Sequence, residues 1–450
     1  MSSTDAVPIY RIDLALPPEQ RYVQIAKDFA EQLRAIAPLY DLVLAQILVY
    51  PPIIRLAKFL VRLCLRRVYN DDENREIRSI AETAGVDLHL VVALNTFLDC
   101  LLGCTSGAVP VCDDDAPEDA PSHLMHFRTL DWGMPELADV LVQLDFVDSE
   151  SQQPDRVLAR SITYAGFVGT LTGVRPGLSL SLNHRPLLNA KTKSSIFHQV
   201  LVLLGRRPSI SSMLRQVLIP PKPVDVKSGK DADVSNLVVF ATDFIKNPSP
   251  SCYLIFSTPQ EAVVIQKDYI GGNIKHTYDF IAQANHDTNH TLCCGASEFH
   301  HKALELEDSS SIPEDSLWLS ASAERQNFVH DNWKAHSKRL GATASAVIDD
   351  TMEGQSGNGS CIALAKSLQP NSRTRGVTKG ILKRWMMSEP VFNDFTHFAT
   401  AMDPLSGDVV FLKKVKKEPS HVENFPQQDG VLIVNDSVPK RIKPIVNHQT

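Results

Sequence analysis

An α+β architecture, sheets sandwiched by helices behind an N-terminal helical segment, is what this sequence predicts. Two observations carry it. Residues 7–103 read mostly as helix, and beyond residue 104 alternating apolar runs read as strands with helices between them. Strands, then helices, then strands again give sheet layers covered by helices. At 450 residues, the chain is long enough for one large unit with a helical attachment.

The elements follow in order. A short extended lead, Ile9-Tyr10-Arg11-Ile12-Asp13-Leu14, precedes Pro17-Pro18, which open a helix running to about Arg34. From Leu39 to Tyr69 the chain is strongly apolar, but Pro51-Pro52 and the charges at Arg55, Lys58, Arg62, Arg66 and Arg67 interrupt it. A membrane-spanning helix needs about 20 mostly uninterrupted apolar residues, so none is expected here. Residues 56–67 read instead as a basic amphipathic helix, which could make peripheral contact with a lipid surface. Packing on the chain's own core is the commoner outcome for such a stripe. Asn74 to Thr83 and Leu88 to Leu102 read as two further helices, the second delivering Cys104.

Runs around 140–146, 178–183, 252–256 and 262–265 read as strands; helices fit near Ile196–Leu204 and Ile210–Val217. Asp113 to Ser122, Pro220 to Val234 and Glu305 to Asp315 have loop composition. Residues 413–450 begin with a Lys-rich run, turn Pro-, Gln- and Asn-rich, and read as a solvated tail. The predicted organisation is therefore a helical fragment over 1–103, a catalytic fragment over 104–412, and that tail.

Composition narrows the function classes. Hydrophobic content of 43% and charged content of 22% are ordinary for a globular protein, and a net charge of −7 leaves no footprint for nucleic acid. The 8 cysteines show no paired metal-ligand spacing, and the 15 histidines are scattered, so neither metal nor cofactor is expected. The first thirty residues show no charged-then-apolar signal segment. An intracellular location with reduced cysteines is the default expectation.

The chemistry concentrates in Gly103-Cys104-Thr105-Ser106 and, further along, in His126-Phe127-Arg128-Thr129-Leu130-Asp131-Trp132. If the peptide bond between Gly103 and Cys104 is cut, Cys104 becomes an N-terminal residue. It then carries both a nucleophilic sulfur and an amine able to take the thiol's proton. An α-amine titrates near ~7.7 and a thiol near ~8.5, so little perturbation moves that proton. Arg128 and Asp131 could hold and polarise such a site. This points to an amidohydrolase with an N-terminal nucleophile, made by self-cleavage.

Several blocks resemble the acid ceramidase and N-acylethanolamine acid amidase family, in the family's order and from about Val7 to Leu412. The lead through Leu16-Pro17-Pro18 is similar to the family's opening. Arg78-Ser79-Ile80-Ala81 and Asn95-Thr96-Phe97 resemble the segment before the cleavage site. Cys104-Thr105-Ser106 matches the nucleophile, and Arg128-Thr129-Leu130-Asp131 the Arg-x-x-Asp motif, with Thr129 where Asn usually stands. The run from Gly166 to Gly177, continuing to Ser181-Leu182-Asn183, is the longest block. Gln283-Ala284-Asn285-His286-Asp287 and the segment from Glu389 to Thr400 complete the set.

The resemblance implies an αββα sandwich of the N-terminal-nucleophile hydrolase kind and assigns roles. Cys104 would be the nucleophile and its freed amine the base, with Arg128 and Asp131 orienting the new N-terminus. Asn285 would donate to the oxyanion, a contribution worth about 2.7–4 kcal/mol in comparable enzymes. Arg325 lines up with a further family arginine across an insertion, and Asn183, His184 and Gly166 would border the substrate. His184 stands where the family usually has Glu, which bears on the headgroup. Nothing near the N-terminus could form a disulfide across the cut, so the two fragments would stay associated by burial alone. Family members are lysosomal.

The implied reaction is hydrolysis of a lipid-like N-acyl amine, ceramide to sphingoid base plus fatty acid. N-acylethanolamine hydrolysis and another cysteine acylase or acyltransferase activity remain as alternatives. So does an uncleaved, inactive lipid-binding protein.

Overall fold

The computed structural model describes residues 6–36, 62, 64–97, 103–114, 121–186, 193–219, 236–287, 314–339, 348–350 and 376–415. The chain opens with β1 (Ile9–Asp13), then three short helices, α1 (Pro18–Arg21), α2 (Val23–Asp28) and α3 (Ala30–Ile36). The single helix expected from Pro17 to Arg34 is thus broken at Tyr22 and Phe29, whose backbones leave helical geometry and whose side chains are buried. Helix α4 (Asp71–Ala84) is longer at both ends than its apolar pattern suggests. Asn70 caps it by accepting the Glu73 N–H, and Gly85 ends it at φ 67°. Helix α5 (Leu88–Phe97) follows.

Strands β2 (Gly103–Cys112), β3 (His123–Asp131), β4 (Leu141–Val147), β5 (Ala159–Tyr164), β6 (Thr172–Arg175) and β7 (Leu178–His184) come next. Helices α6 (Lys193–Leu203), α7 (Ile210–Leu218) and α8 (Leu237–Phe244) precede β8 (Cys252–Ser257), β9 (Ala262–Lys267), β10 (Gly272–Thr277) and β11 (Ile281–Gln283). The described chain ends with α9 (Glu314–Arg339), β12 (Ile348–Asp350), β13 (Val377–Thr378), α10 (Lys379–Met386), β14 (Thr396–Asp403) and β15 (Asp408–Lys414). Lys413 and Lys414 therefore belong to a strand rather than to the expected tail.

Among the described residues the strands form two sheets. The larger has nine strands in the order β1-β4-β5-β6-β7-β8-β9-β10-β12; the smaller runs β11-β2-β3-β14-β15, with β13 beside β2. β2 and β3 face β7 and β8 across the interior. Helix α7 covers β6 and β7, and α8 covers β9 and β10, on one outer surface; α9 and α10 cover the smaller sheet on the other. The result is the αββα sandwich.

Period-two alternation sorts the strands between layers. In β2, Ala108 packs between the sheets against Tyr253 and Ile255, while Val109 and Val111 point outward to Trp333 and Trp385. In β3, Leu124 faces inward, and Met125 and Phe127 face the outer helices.

Segments on either side of Gly103 are joined by buried polar contacts as well as by apolar packing. Arg215 of α7 donates two hydrogen bonds to Glu76 of α4, and Ser212 donates to Glu73 at 2.9 Å. β1 also pairs in parallel with β4, from Ile9 opposite Gln143 to Asp13 opposite Val147.

The expected loops over 115–120, 220–234 and 305–313 lie outside the described residues, as do the tail from residue 416 and most of the apolar stretch Leu39 to Tyr69. Of that stretch only residues 62 and 64–69 are described. No described helix is long and apolar enough to cross a membrane. Helix α5 is described only to Phe97, and the chain is already extended at Gly103.

Candidate active site at the head of strand β2

Cys104 is the second residue of β2 and has no exposed surface. The alternation that sends Ala108 inward also sends Cys104 and Ser106 inward, toward β7. Its backbone N–H donates to Asn285 Oδ1 at 2.8 Å, and its sulfur accepts from Arg128 Nη2 at 3.1 Å. The sulfur also lies 3.9 Å from the Leu182 carbonyl oxygen.

Arg128 comes from the neighbouring strand β3, opposite Ser106 in register, and is fully buried. A buried guanidinium costs free energy unless its donors are used. Nη2 also donates to the Leu182 carbonyl at 2.7 Å, while Nη1 donates to Thr172 Oγ1 at 2.7 Å and to the Leu171 carbonyl. Burial pushes the Cys104 thiol up, and the Arg128 guanidinium pulls it partly back. The intact chain thus holds a neutral thiol beside a fixed cation able to stabilise a thiolate once a base removes the proton.

Asp131 ends β3 opposite Gly103. It accepts from Thr396 Oγ1 at 2.7 Å and Asn393 Nδ2 at 3.2 Å, and lies 3.7 Å from Arg325 Nε. Burial pushes its carboxyl up, with Arg325 the main opposing influence. A Cβ at Gly103 would stand 3.3 Å from Asp131 Cβ, tighter than ordinary contact. Glycine therefore lets the chain pass close to Asp131 just before Cys104.

Arg325 projects from α9, where the sequence placed it only across an insertion. Nη2 donates to Asn285 Oδ1 at 3.0 Å and Nε to Thr105 Oγ1 at 3.2 Å. Asn285 sits just past the end of β11, its Nδ2 donating to the His184 carbonyl at 2.8 Å. The donors around Oδ1 and the acceptor beside Nδ2 fix which way the amide faces.

The expected substrate-side residues divide. Asn183 is buried and its amide is engaged, Oδ1 accepting from Ser106 Oγ at 2.7 Å and Nδ2 donating to the Gln283 carbonyl at 2.8 Å. It ties the sheets together beside Cys104. His184 reaches the site through its carbonyl, and its side chain is half-buried. Gly166 makes the turn after β5 at φ 87°, where a Cβ would meet Leu33 and Leu94 at 3.1 and 3.3 Å. Its carbonyl accepts from Asn95 Nδ2 at 2.8 Å, so close packing under α3 and α5 accounts for the glycine.

Sequence reasoning did not single out Thr172 or Ser322, and it named Thr105 only as part of the Cys104 motif. Thr172 lay within the long Gly166–Gly177 block, but only the fold brings its hydroxyl to Arg128. No group of three or more His, Cys, Asp or Glu side chains that could hold a metal occurs among the described residues.

A family model described as the beta subunit of N-acylethanolamine-hydrolyzing acid amidase matches residues 5–69. Acid ceramidase of Mus musculus is 29% identical over 200 residues, 41% of this chain and 47% of that protein. The Homo sapiens protein is 28% identical over 199 residues, covering 41% and 47%. That of Bos taurus is 30% identical over 194 residues, covering 40% and 46%. The chain thus spans about half the length of these relatives. Among solved structures, the Caenorhabditis elegans N-acylethanolamine-hydrolyzing acid amidase ortholog matches with a TM-score of 0.39 and 18% identity. That match covers 67% of this chain and 93% of the other.

Proposed function

We propose that the chain belongs to the acid ceramidase and N-acylethanolamine acid amidase family, to whose members it is similar, and that it is a self-processing cysteine amidohydrolase acting on a lipid-like N-acyl amine. One observation carries the reading: Asn285 holds the Cys104 nitrogen while Arg128 holds its sulfur, immediately after Gly103. That both the nitrogen and the sulfur of Cys104 have partners in the intact chain supports the reading.

In the uncut chain the sulfur attacks the Gly103 carbonyl carbon. The C–N bond breaks as the Cys104 nitrogen takes a proton, leaving a thioester that water hydrolyses. The freed amine then accepts the thiol proton, and the thiolate, stabilised by Arg128, attacks the substrate amide carbonyl. Asn285 keeps the amine in place through Oδ1, and the second hydrogen on Nδ2 is offered to the oxyanion. Collapse expels the substrate amine, protonated by the Cys104 ammonium, and water releases the fatty acid from the acyl-enzyme. Arg325 steadies Asn285, while Asp131 balances Arg325 beside the new N-terminus.

Ceramide is the first substrate to test because the relatives above are acid ceramidases; the family model's name makes an N-acylethanolamine the second. The lipid is proposed to arrive from an anionic membrane surface. Arg62, Arg66 and Arg67 are exposed, and Gly205, just beyond α6, packs against Arg67. The exposed apolar side chains of Phe197, Val200 and Leu204 lie on or just beyond that same helix.

A denaturing gel with N-terminal sequencing tests the reading. Two fragments are expected, the larger starting at Cys104, and Cys104→Ala is expected to abolish both cutting and hydrolysis. A lasting single band at 49.8 kDa, or a larger fragment with another start, overturns it. The first result would favour the uncleaved lipid-binding alternative.

A further inference from the structure

Strand β11 stops at Gln283, yet the next two backbone N–H groups, of Ala284 and Asn285, are buried and need acceptors. Helix α9 supplies them from its side chains. Gln326 Oε1 accepts the Ala284 N–H at 3.0 Å, and Ser322 Oγ accepts the Asn285 N–H at 2.8 Å. Ser322, Arg325 and Gln326 are spaced i, i+3 and i+4, so they share one face of the helix. That face grips the Asn285 backbone through Ser322 and the Asn285 side chain through Arg325.

Ser322 Oγ also lies 2.9 Å from His286 Nδ1. Burial, with Arg325 nearby, pushes His286 down to about 4, so near neutrality the ring is uncharged and Nδ1 can accept the serine's hydrogen. The hydroxyl then accepts from one residue and donates to the next.

We propose that Ser322 and Gln326 are positioning residues for the reaction, holding the backbone at Ala284–His286 so that Asn285 presents its amide to the Cys104 nitrogen and to the oxyanion. A side-chain clamp is needed because Asn285 lies beyond the sheet's own hydrogen bonding. Arg325 alone could not do this, since it fixes the amide oxygen but not the path of the main chain.

The two roles rest on the activity proposed above, and the test separates them from it. In the full chain, Ser322→Ala and Gln326→Leu are assayed on a micellar N-acyl amine, with rates normalised to processed protein. The expected result is a kcat lowered on the order of 10-fold to 100-fold, as misplacement of about 1 Å can produce, with KM unchanged. Ser322→Thr, which keeps the hydroxyl, is expected to recover most of kcat. Hydrogen exchange at Ala284–His286 is measured in parallel in the uncut Cys104→Ala background, where Ser322→Ala should accelerate it. An unchanged kcat, or a rise in KM alone, overturns the positioning roles. So does unchanged exchange, which decides the matter even if the wild-type chain neither cuts itself nor hydrolyses lipid.

Discussion

Arg215→Met offers the sharpest test of how the two halves of the molecule hold together. Arg215 lies on α7 and Glu76 on α4, on opposite sides of the proposed cut, with side-chain exposures of 7% and 0%. The substitution removes two charge-assisted hydrogen bonds and leaves a carboxylate inside the protein. Breaking such a pair by deleting one partner costs about 3–5 kcal/mol. Arg21 still reaches Glu76 Oε1 at 3.0 Å, which places the loss at the lower end. About 3 kcal/mol corresponds to roughly a 100-fold weaker association of the processed fragments. Urea unfolding of the uncut Cys104→Ala chain and dilution of the processed protein should report the same loss. Adding Glu76→Leu should recover much of it, because a packed apolar pair can replace a buried ion pair at little cost. The reasoning is refuted if Arg215→Met leaves both measurements at wild-type values, or if the double substitution is no better than the single.

Two further outcomes follow from buried carboxyls. Burial pushes Glu73 up to about 7 from an ordinary 4.5, with Arg215 pulling it back. Its proton is bound more tightly in the folded protein, so its contribution is full below 4.5 and fades as pH rises through about 7. The urea midpoint of the uncut chain should therefore fall over that window, and Glu73→Gln should flatten this part of the profile; an identical slope would remove Glu73 from the account. Asp131→Asn keeps size and removes the charge that faces Arg325. In processed protein it should lower turnover far more than lipid binding, measured on the same vesicles, and near-wild-type turnover would exclude Asp131 from the mechanism.

What could be read from the sequence was local. Cys104, Arg128 and Asp131 stood out because adjacent strands carry them within short motifs, and strand alternation then fixes where each side chain points. Strands β4, β7, β8 and β9 were legible because their apolar runs are short and bounded by turn residues. Helix α9 was not. Its buried side chains include polar ones such as Ser322, Arg325 and Gln326 beside Val329 and Trp333, so no clean apolar stripe announces it. Ser322 and Gln326 escaped notice with the helix that carries them, whereas the family resemblance alone singles out Arg325. Thr172 and the Leu182 carbonyl also escaped notice, since only sheet-on-sheet packing brings β6 and β7 to Arg128.

Cys104, Thr105 and Ser106 are three consecutive side chains, each of a type able to serve as a nucleophile. Thr105 turns away to Arg325, and Ser106 faces inward but is held by Asn183. The phase of β2 turns Thr105 away, and the bond to Asn183 occupies Ser106, which leaves the Cys104 sulfur as the one beside Arg128. Inserting or deleting one residue between Gly103 and Gly107 would exchange inside for outside and offer Arg128 a different side chain. Length in this short stretch is consequently as much a part of the candidate site as the sulfur.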